Sequence, residues 1–223
     1  MILFVGAIVL ALVLGFATGG RLSNFERLRL RWWALAPLGF AIQGLPLPNE
    51  RYGTDLLVRV AVLGTSYALI LIVGAMNVRV SGVALLLVGL ALNALAVVPN
   101  GGMPVSERAI IRSDQRDVLA LLRRDEGAKH HLMSPADRFT PITDVIPLGP
   151  PIRQVVSVGD ILVYTGLTWL IVSVMRGRTR GLVLPSESGR YHGKHRSDPS
   201  PHLDGAPRPP APRSAATMSG TEP

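Results

Sequence analysis

Charged and amide side chains lie inside stretches of the sequence that are otherwise apolar. Arg59 lies about four residues into one such stretch, and Asp160 about six residues into another. A charge inside a bilayer costs at least about 2.5 kcal/mol on insertion scales, so intramembrane charges usually have partners. Arg59 and Asp160 are therefore predicted to form an ion pair, with Gln43 and Asn93 at a similar depth. Four polar side chains from four helices would then form a cluster in the outer leaflet.

Two further polar residues extend this cluster along the helix that carries Asp160. Ser157 precedes Asp160 by three residues and Tyr164 follows it by four, which places both on the same helix face. The cluster is compatible with an outward-facing polar pocket. It is also compatible with a structural arrangement, in which Arg59 extends to the lipid headgroups and Asp160 only fixes helix packing.

A second group of candidate residues follows in the longest polar segment, residues 100–154. Asn100, His130 or His131, and Asp144 could form a ligand-binding or enzymatic site there. Histidine and carboxylate are also metal ligands, but their spacing here matches no metal site, so we predict no metal and no other cofactor. The alternative is that these residues are solvated loop positions. The absence of cysteine excludes disulfides and thiolate nucleophiles.

Membrane-spanning helices are the elements that must position these residues. Only 17% of the residues are charged and the mean hydropathy is +0.34, which excludes an ordinary soluble globular protein, where about 25% are charged. A spanning helix needs about 20 mostly apolar residues, with a lower limit near 17. Five apolar stretches are predicted to be such helices: residues 2–18, 32–47, 56–76, 82–99 and 155–175. Prolines and glycines interrupt the second stretch, so whether it spans fully is left open.

Arginine residues indicate how the five stretches cross the membrane. Arginines recur between the first and second stretches, between the third and fourth, and after the fifth. Because basic residues concentrate on the cytoplasmic side, the N-terminus is predicted outside and the C-terminus inside, in a bacterial plasma membrane. The net charge of +8 is attributed to this topology and to the lipid bilayer, and no nucleic-acid partner is predicted. The predicted fold class is an all-α, five-helix integral membrane bundle with a partly helical extracytoplasmic loop.

Two regions outside the helices have contrasting sequences. The loop at residues 100–154 is extracytoplasmic in this topology, and residues 106–124 are predicted to form one amphipathic helix. Residues 185–223 hold many prolines and almost no large apolar side chains, so we predict that they are disordered. The predicted organisation is a membrane domain at residues 1–175 and a cytoplasmic tail at 176–223, basic at first and then rich in proline and serine.

Small residues form a stripe along two of the predicted helices. In the first helix the stripe consists of Ala7, Ala11, Gly15 and Gly19. In the fourth helix it consists of Gly82, Gly89, Asn93 and Ala96. Such a face lets two helix backbones approach closely in lipid. Its partner in the first helix is another helix of this chain, a second copy in a homo-oligomer, or another membrane protein.

Short motifs along the chain resemble those of a known family. The motifs are Gly-Gly-Arg-Leu-Ser-Asn at 19–24, Asn-Gly-Gly-Met-Pro-Val-Ser at 100–106, Asp-Val-Ile-Pro at 144–147 and Ser-Val-Gly-Asp at 157–160. In this order along five spans, with a histidine in the loop, they resemble a bacterial membrane-protein family known as domain of unknown function 5317. The resemblance covers about residues 1–175. It implies a small multi-pass membrane protein and supplies no activity.

Three functions are compatible with these features. The first is a structural or regulatory membrane protein that meets a partner through its outer loop or tail. The second is a small transporter or ion-coupled carrier that uses Arg59 and Asp160. The third is a membrane enzyme with an extracytoplasmic site, although no catalytic constellation is evident. A covered polar pocket would favour the third, an open vestibule reaching mid-membrane the second, and a filled, dry interior the first.

Overall fold

The computed structural model describes residues 2–48, 53–124 and 129–178, which are mostly helical with a few short strands. The α-helices are α1 (Ile2–Ala17), α2 (Leu35–Gln43), α3 (Gly53–Met76), α4 (Val83–Val97), α5 (Glu107–Arg112), α6 (Arg116–Arg123) and α7 (Val158–Met175). The strands are β1 (Met103–Val105), β2 (His130–Leu132), β3 (Ile146–Leu148) and β4 (Gln154–Val156). The tail that we predict to be disordered lies outside the described residues.

Four of the five predicted apolar helices are present with nearly the predicted bounds. Among the described residues, α3 and α7 are long and apolar enough to cross a membrane, with 24 and 18 residues. The helices α1 and α4 are as apolar but shorter, with 16 and 15 residues. The uninterrupted apolar sequence of each stretch accounts for this agreement.

The second predicted helix is wrong in extent, because α2 has nine residues instead of sixteen. Pro37 lies in its first turn, where proline is tolerated, but Pro46 and Pro48 follow its end and cannot continue a helix. The flanking chain nevertheless follows α3 along most of its length. The Asn77 side chain accepts a hydrogen bond from the backbone N–H of Arg31 at 2.8 Å, and Arg59 donates to the carbonyl of Pro48. Arg59 and Asn77 are separated by about 27 Å along α3, at about 1.5 Å per residue. Residues 31–48 therefore run beside α3 over this length.

The loop after α4 is a folded unit, called the cap below (described residues 100–124 and 129–157). The single amphipathic helix predicted at residues 106–124 is wrong, because the chain breaks between α5 and α6, where Asp114 has a φ of 58°. The strands β1 and β2 pair in parallel, and β3 and β4 pair antiparallel. The small core of the cap contains Val105, Ile110, Leu119 and Leu122.

The main helix contacts form a row in the order α2, α3, α4, α7 and α1. The closest contact joins α4 and α7 through glycines, as the small-residue stripe of the fourth helix predicts. A Cβ atom on Gly89 would lie 2.6 Å from the carbonyl oxygen of Gly159, and one on Gly166 would lie 2.5 Å from the backbone nitrogen of Leu86. The stripe of α1 also packs within the chain, because Ala11 is buried and Gly15 contacts Met175 of α7.

One end of the helix row collects the arginine-containing links, away from the cap. The backbone N–H of Arg21 and the side-chain amide of Asn24 both donate to the carbonyl of Met175, at 2.8 and 2.7 Å. At the same end, Asn77 joins the end of α3 to the backbone of Arg31. The link between the first two apolar segments therefore meets both the link that follows α3 and the chain that follows α7. The cap covers the opposite ends of α3, α4 and α7.

Candidate functional site

A polar cavity of about 190 Å³ lies where the cap meets the helices. Its lining comes from α2, α3, α4, α7 and the cap, and consists of Gln43, Leu63, Tyr67, Asn93, Val97, Met103, Lys129, His130, Asp144 and Asp160. Three of the four residues predicted for the outer-leaflet cluster are in this pocket, namely Gln43, Asn93 and Asp160. Two residues of the predicted loop site join them, His130 and Asp144. The two predicted groups thus contribute to one site.

Asp160 belongs to a hydrogen-bonded network at the start of α7. The Ser157 hydroxyl accepts from the backbone N–H of Asp160 at 2.9 Å, and the Asp160 carboxylate accepts from the backbone N–H of Ser157 at 3.2 Å. This reciprocal pair is a capping box, which satisfies two unpaired donors of the first helical turn. Asn93 of α4 completes the network, because its amide donates to Asp160 at 2.8 Å and accepts from the Ser157 hydroxyl at 2.9 Å. The carboxylate is therefore fixed between two helices.

Arg59 is buried beside this pocket but bonds to backbone carbonyls. Its Nε donates to the carbonyl of Gly101 at 2.6 Å, and its Nη1 donates to the carbonyl of Pro48. The predicted contact between Arg59 and Asp160 is not among the ion pairs of the described residues. Gly101 has a φ of 60°, a conformation that glycine adopts readily, and this turn presents its carbonyl to Arg59. Arg59 thus fastens the turns at residues 48 and 101 to α3.

Asp144 is the most deeply buried carboxyl in the pocket, with a relative exposure of 7%. Its backbone is tied to β1: its carbonyl accepts from Ser106 at 2.9 Å, and its N–H donates to the carbonyl of Pro104 at 3.3 Å. Its Oδ1 has no hydrogen-bond partner within the part of the chain that the structure describes. Burial, and then the charge of Asp160, raises the pKa of Asp144 from 3.8 to about 8. The carboxyl is therefore mainly protonated at neutral pH.

His130 and Lys129 complete the polar lining from the side of the cap. The His130 side chain is exposed at one side, but desolvation by the surrounding protein lowers its pKa, and the Asp160 charge opposes this effect only in part. The His130 imidazole is therefore neutral at neutral pH. Desolvation also lowers the pKa of Lys129, whose backbone carbonyl accepts from Met103 at 2.7 Å. His130 and Asp144 also line a second cavity of about 210 Å³ inside the cap.

The other two residues predicted for the loop site hold the cap in place. His131 is 1% exposed, and its Nε2 lies 3.0 Å from a carboxylate oxygen of Asp137. Successive residues of a strand point to opposite sides, which separates His130 from His131. The Asn100 amide donates to the carbonyls of Ala96 and Arg138 at 2.8 and 2.9 Å, and it accepts from the backbone N–H of Arg138.

Tyr164, the last member of the predicted cluster, does not line the polar pocket, although it lies close enough to interact electrostatically with Asp144 and Asp160. It lies in an apolar groove between α1 and α7. In the polar pocket the tyrosine is Tyr67, which the sequence analysis does not include. A signal for it exists, because Arg59, Leu63 and Tyr67 are spaced by four residues and share one face of α3. Val97 follows Asn93 by four residues on α4 in the same way, whereas Met103 and Lys129 carry no comparable pattern.

Comparisons with known proteins place the whole pocket inside one family. The model of a family described as "Family of unknown function (DUF5317)" matches residues 27–172, which include every residue of the pocket. A protein of Thermotoga maritima, named "Uncharacterized protein", is 28% identical over 189 residues, which cover 83% of this chain and 100% of that protein. No solved structure matches the chain. Since the match covers more than half of the sequence, the chain belongs to the DUF5317 family, as its motifs predict.

Proposed function

We propose that this chain is a multi-pass protein of a bacterial plasma membrane, with its N-terminus and cap outside and its C-terminus inside. Only 28% of the apolar window of α3, and the same share in α7, is buried within the protein. The outward faces of the other helices also carry large apolar side chains, such as Phe4, Val9 and Val88. A bilayer would cover these surfaces. The collection of arginine links at the end away from the cap supports the orientation.

Within the membrane, we propose that the protein binds a small ligand under the cap and thereby regulates a partner. The observation that carries this proposal is that one polar pocket takes its lining from both the cap and four helices. A ligand there would contact the cap through Asp144 and His130, and the helices through Gln43, Tyr67 and Asn93. A ligand that prefers one arrangement of cap and helices shifts the population toward it. Occupancy of the pocket would therefore change the surface that the cap and the helices present to a partner.

The position of the pocket argues against the transporter alternative. Asp160 is the third residue of α7, and Asn100 follows the opposite end of α4, so the polar lining lies near the cap end of the helices. Arg59 bonds to the turns that close this end. A site at one face of the membrane suits recognition of an external ligand better than a path through the bilayer.

An enzyme is the second candidate, because a polar pocket covered by the cap is the arrangement expected of an extracytoplasmic enzyme site, and because of the protonation of two residues that line it. Burial raises the pKa of Asp144 to about 8 and lowers that of His130. At neutral pH the pocket would hold a protonated carboxyl and a neutral imidazole, which could act as general acid and general base. Proton transfer to a bound substrate is the chemistry that this pair supports.

Recovery of partners from membranes in mild detergent tests the regulatory proposal. Val97→Phe would fill the pocket, and Val88→Phe is a matched control on the exposed side of the same helix. We expect mass spectrometry to find a partner whose recovery changes at least severalfold with Val97→Phe but stays at the wild-type level with Val88→Phe. An unchanged elution volume in size-exclusion chromatography would show that Val97→Phe folds. If this variant does not fold, Gln43→Phe would be used in its place to fill the pocket. Equal recovery from all three proteins, or no partner at all, would overturn the proposal.

A further inference from the structure

We propose that the pocket under the cap binds a small organic cation, with an ammonium group between Asp144 and Asp160 and an alkyl part against Leu63, Val97 and Met103. This inference rests on the proposed function, and names the chemical class of its ligand. Both carboxyl groups and all three apolar side chains line the same cavity. A cationic head with an apolar body matches this division of the lining.

The two carboxyl groups offer acceptors that the protein leaves available. Asp160 is fixed by Asn93 and by the backbone of Ser157, so it presents a negative group whose position is set before a ligand arrives. Asp144 is more than nine-tenths buried, and its Oδ1 accepts no hydrogen bond from any described residue. Buried acceptors nearly always have a donor. An ammonium group, with up to three N–H donors, would supply the missing one.

The ion pairs of Arg123, His131 and Arg153 each join a carboxylate other than Asp144 or Asp160. Lys129 also lines the pocket, and desolvation lowers its pKa, but none of these ion pairs joins it to either carboxyl group. The neutral form of His130 adds no charge. A ligand cation would therefore meet two carboxyl groups that these ion pairs leave available, with Lys129 in the same cavity.

The size of the cavity limits the ligand to a few carbon atoms. A volume of about 190 Å³ corresponds to about six water molecules at about 30 Å³ each. A primary amine with four carbons fits within this space. Leu63 and Met103 belong to one buried apolar cluster, so the wall that would receive the alkyl chain is already packed.

Binding of a cation would be coupled to the loss of a proton from Asp144. Its carboxyl is protonated at neutral pH, and an adjacent cation favours the ionised form. The titratable groups that surround it are Asp160 and Tyr164 from α7, Tyr67 from α3, and His130 and Lys129 from the cap. The apparent affinity should rise about tenfold per pH unit up to about pH 8, where Asp144 ionises without a ligand, and change little above.

Calorimetric titration of the full chain in lipid nanodiscs tests this inference with three probes of one size: butylammonium, 1-butanol and butyrate. We expect butylammonium to bind at least tenfold more tightly than the other two, with an affinity that rises up to about pH 8. Asp144→Asn should weaken this binding at least tenfold and abolish the pH dependence. Asp117→Asn, an exposed change on α6, should leave both unchanged.

Each other result would overturn the inference. Tighter binding of 1-butanol or butyrate would assign the pocket to a different ligand class, and the proposed regulatory function would stand. Binding of butylammonium that Asp144→Asn does not weaken would place it elsewhere on the protein, and no binding of any probe would exclude the cation. Failure of the proposed function is a separate result, because it is read from partner recovery with Val97→Phe.

Discussion

Asp144 and Asp160 line one pocket, but they differ in the hydrogen-bond donors that surround their carboxyl groups. Asp160 lies at the N-terminus of α7, where the Asn93 amide and the backbone N–H of Ser157 donate hydrogen bonds to its carboxylate. Asp144 is buried inside the cap, in a bridge to Val105 of β1, where its Oδ1 meets no donor among the described residues. The same type of side chain thus accepts hydrogen bonds at a fixed position as Asp160, and holds a proton at neutral pH as Asp144.

Stability should depend on pH through Asp144. The folded protein holds a proton on this carboxyl between about pH 4 and pH 8, whereas the unfolded chain has lost it. The free energy of unfolding should therefore fall as the pH rises through this range, by up to about 1.4 kcal/mol per pH unit. Asp144→Asn removes this titration, so its melting temperature should depend less on pH between 5 and 8 than that of the wild type, measured by thermal unfolding in detergent. The Asp117→Asn control should follow the wild type, and an unchanged slope for Asp144→Asn would contradict the assignment.

The sequence predicts half of the residues that line the pocket. Polar residues in apolar helices are rare enough to stand out, which is why Gln43, Asn93 and Asp160 could be grouped. The partners of Arg59 could not be predicted, because they are carbonyls of the turns at residues 48 and 101, and any residue type has a carbonyl. Which of the two adjacent histidines enters the pocket depends on the strand that holds them, and a three-residue strand leaves no detectable period.

The contact between α4 and α7 is the element that holds the pocket together. Glycines on both helices let the backbones approach, and this approach brings Asn93 within hydrogen-bond distance of Ser157 and Asp160. A Cβ atom on Gly159 would lie 2.0 Å from the side-chain oxygen of Asn93 and 2.8 Å from the carbonyl oxygen of Gly89. Any larger residue must separate the helices or break the network.

We therefore expect Gly159→Ala to destabilise the protein by about 1 to 3 kcal/mol, which is typical of overpacking a tight contact. Gly6→Ala is the matched control, because Gly6 is also inside a helix but has no atom within 4 Å of the position that the added methyl group would take. The control should change stability little. Melting temperatures in the same detergent would measure both, and equal shifts would mean that the contact between α4 and α7 is looser than described.

Helices and cap differ in how far the sequence predicts them. Long apolar stretches predict α1, α3, α4 and α7, because a continuous apolar segment of this length is typical of a helix, which satisfies its backbone hydrogen bonds internally. The cap relies on long-range pairing instead: Met103 pairs with His130, and Ile146 pairs with Val156. Its strands have three residues each, too few for an alternating pattern. The break between α5 and α6 depends on a single residue, Asp114, in a left-handed conformation.

At the scale of the whole molecule, the separation of arginine links from the cap leads to a test of topology. The chain has no cysteine, so single substitutions can be labelled selectively. Ser134→Cys, on the exposed surface of the cap, should react with an impermeant maleimide in intact cells. Ser23→Cys, also exposed but at the arginine end, should react only after the membrane is permeabilised, as should Ser197→Cys in the tail. The reverse pattern would place the cap in the cytoplasm and refute the proposed orientation.

The order of the helices has a consequence for assembly. A row, unlike a ring, has two lateral edges, here α1 and α2, and both carry exposed apolar side chains, such as Phe4 on α1 and Phe40 on α2. The pocket is centred on α3, α4 and α7, away from the α1 edge, and takes only Gln43 from α2. Another membrane protein that joined at the α1 edge would extend the layer sideways without entering the pocket. Two such rows side by side would therefore carry two separate ligand sites, one for each chain.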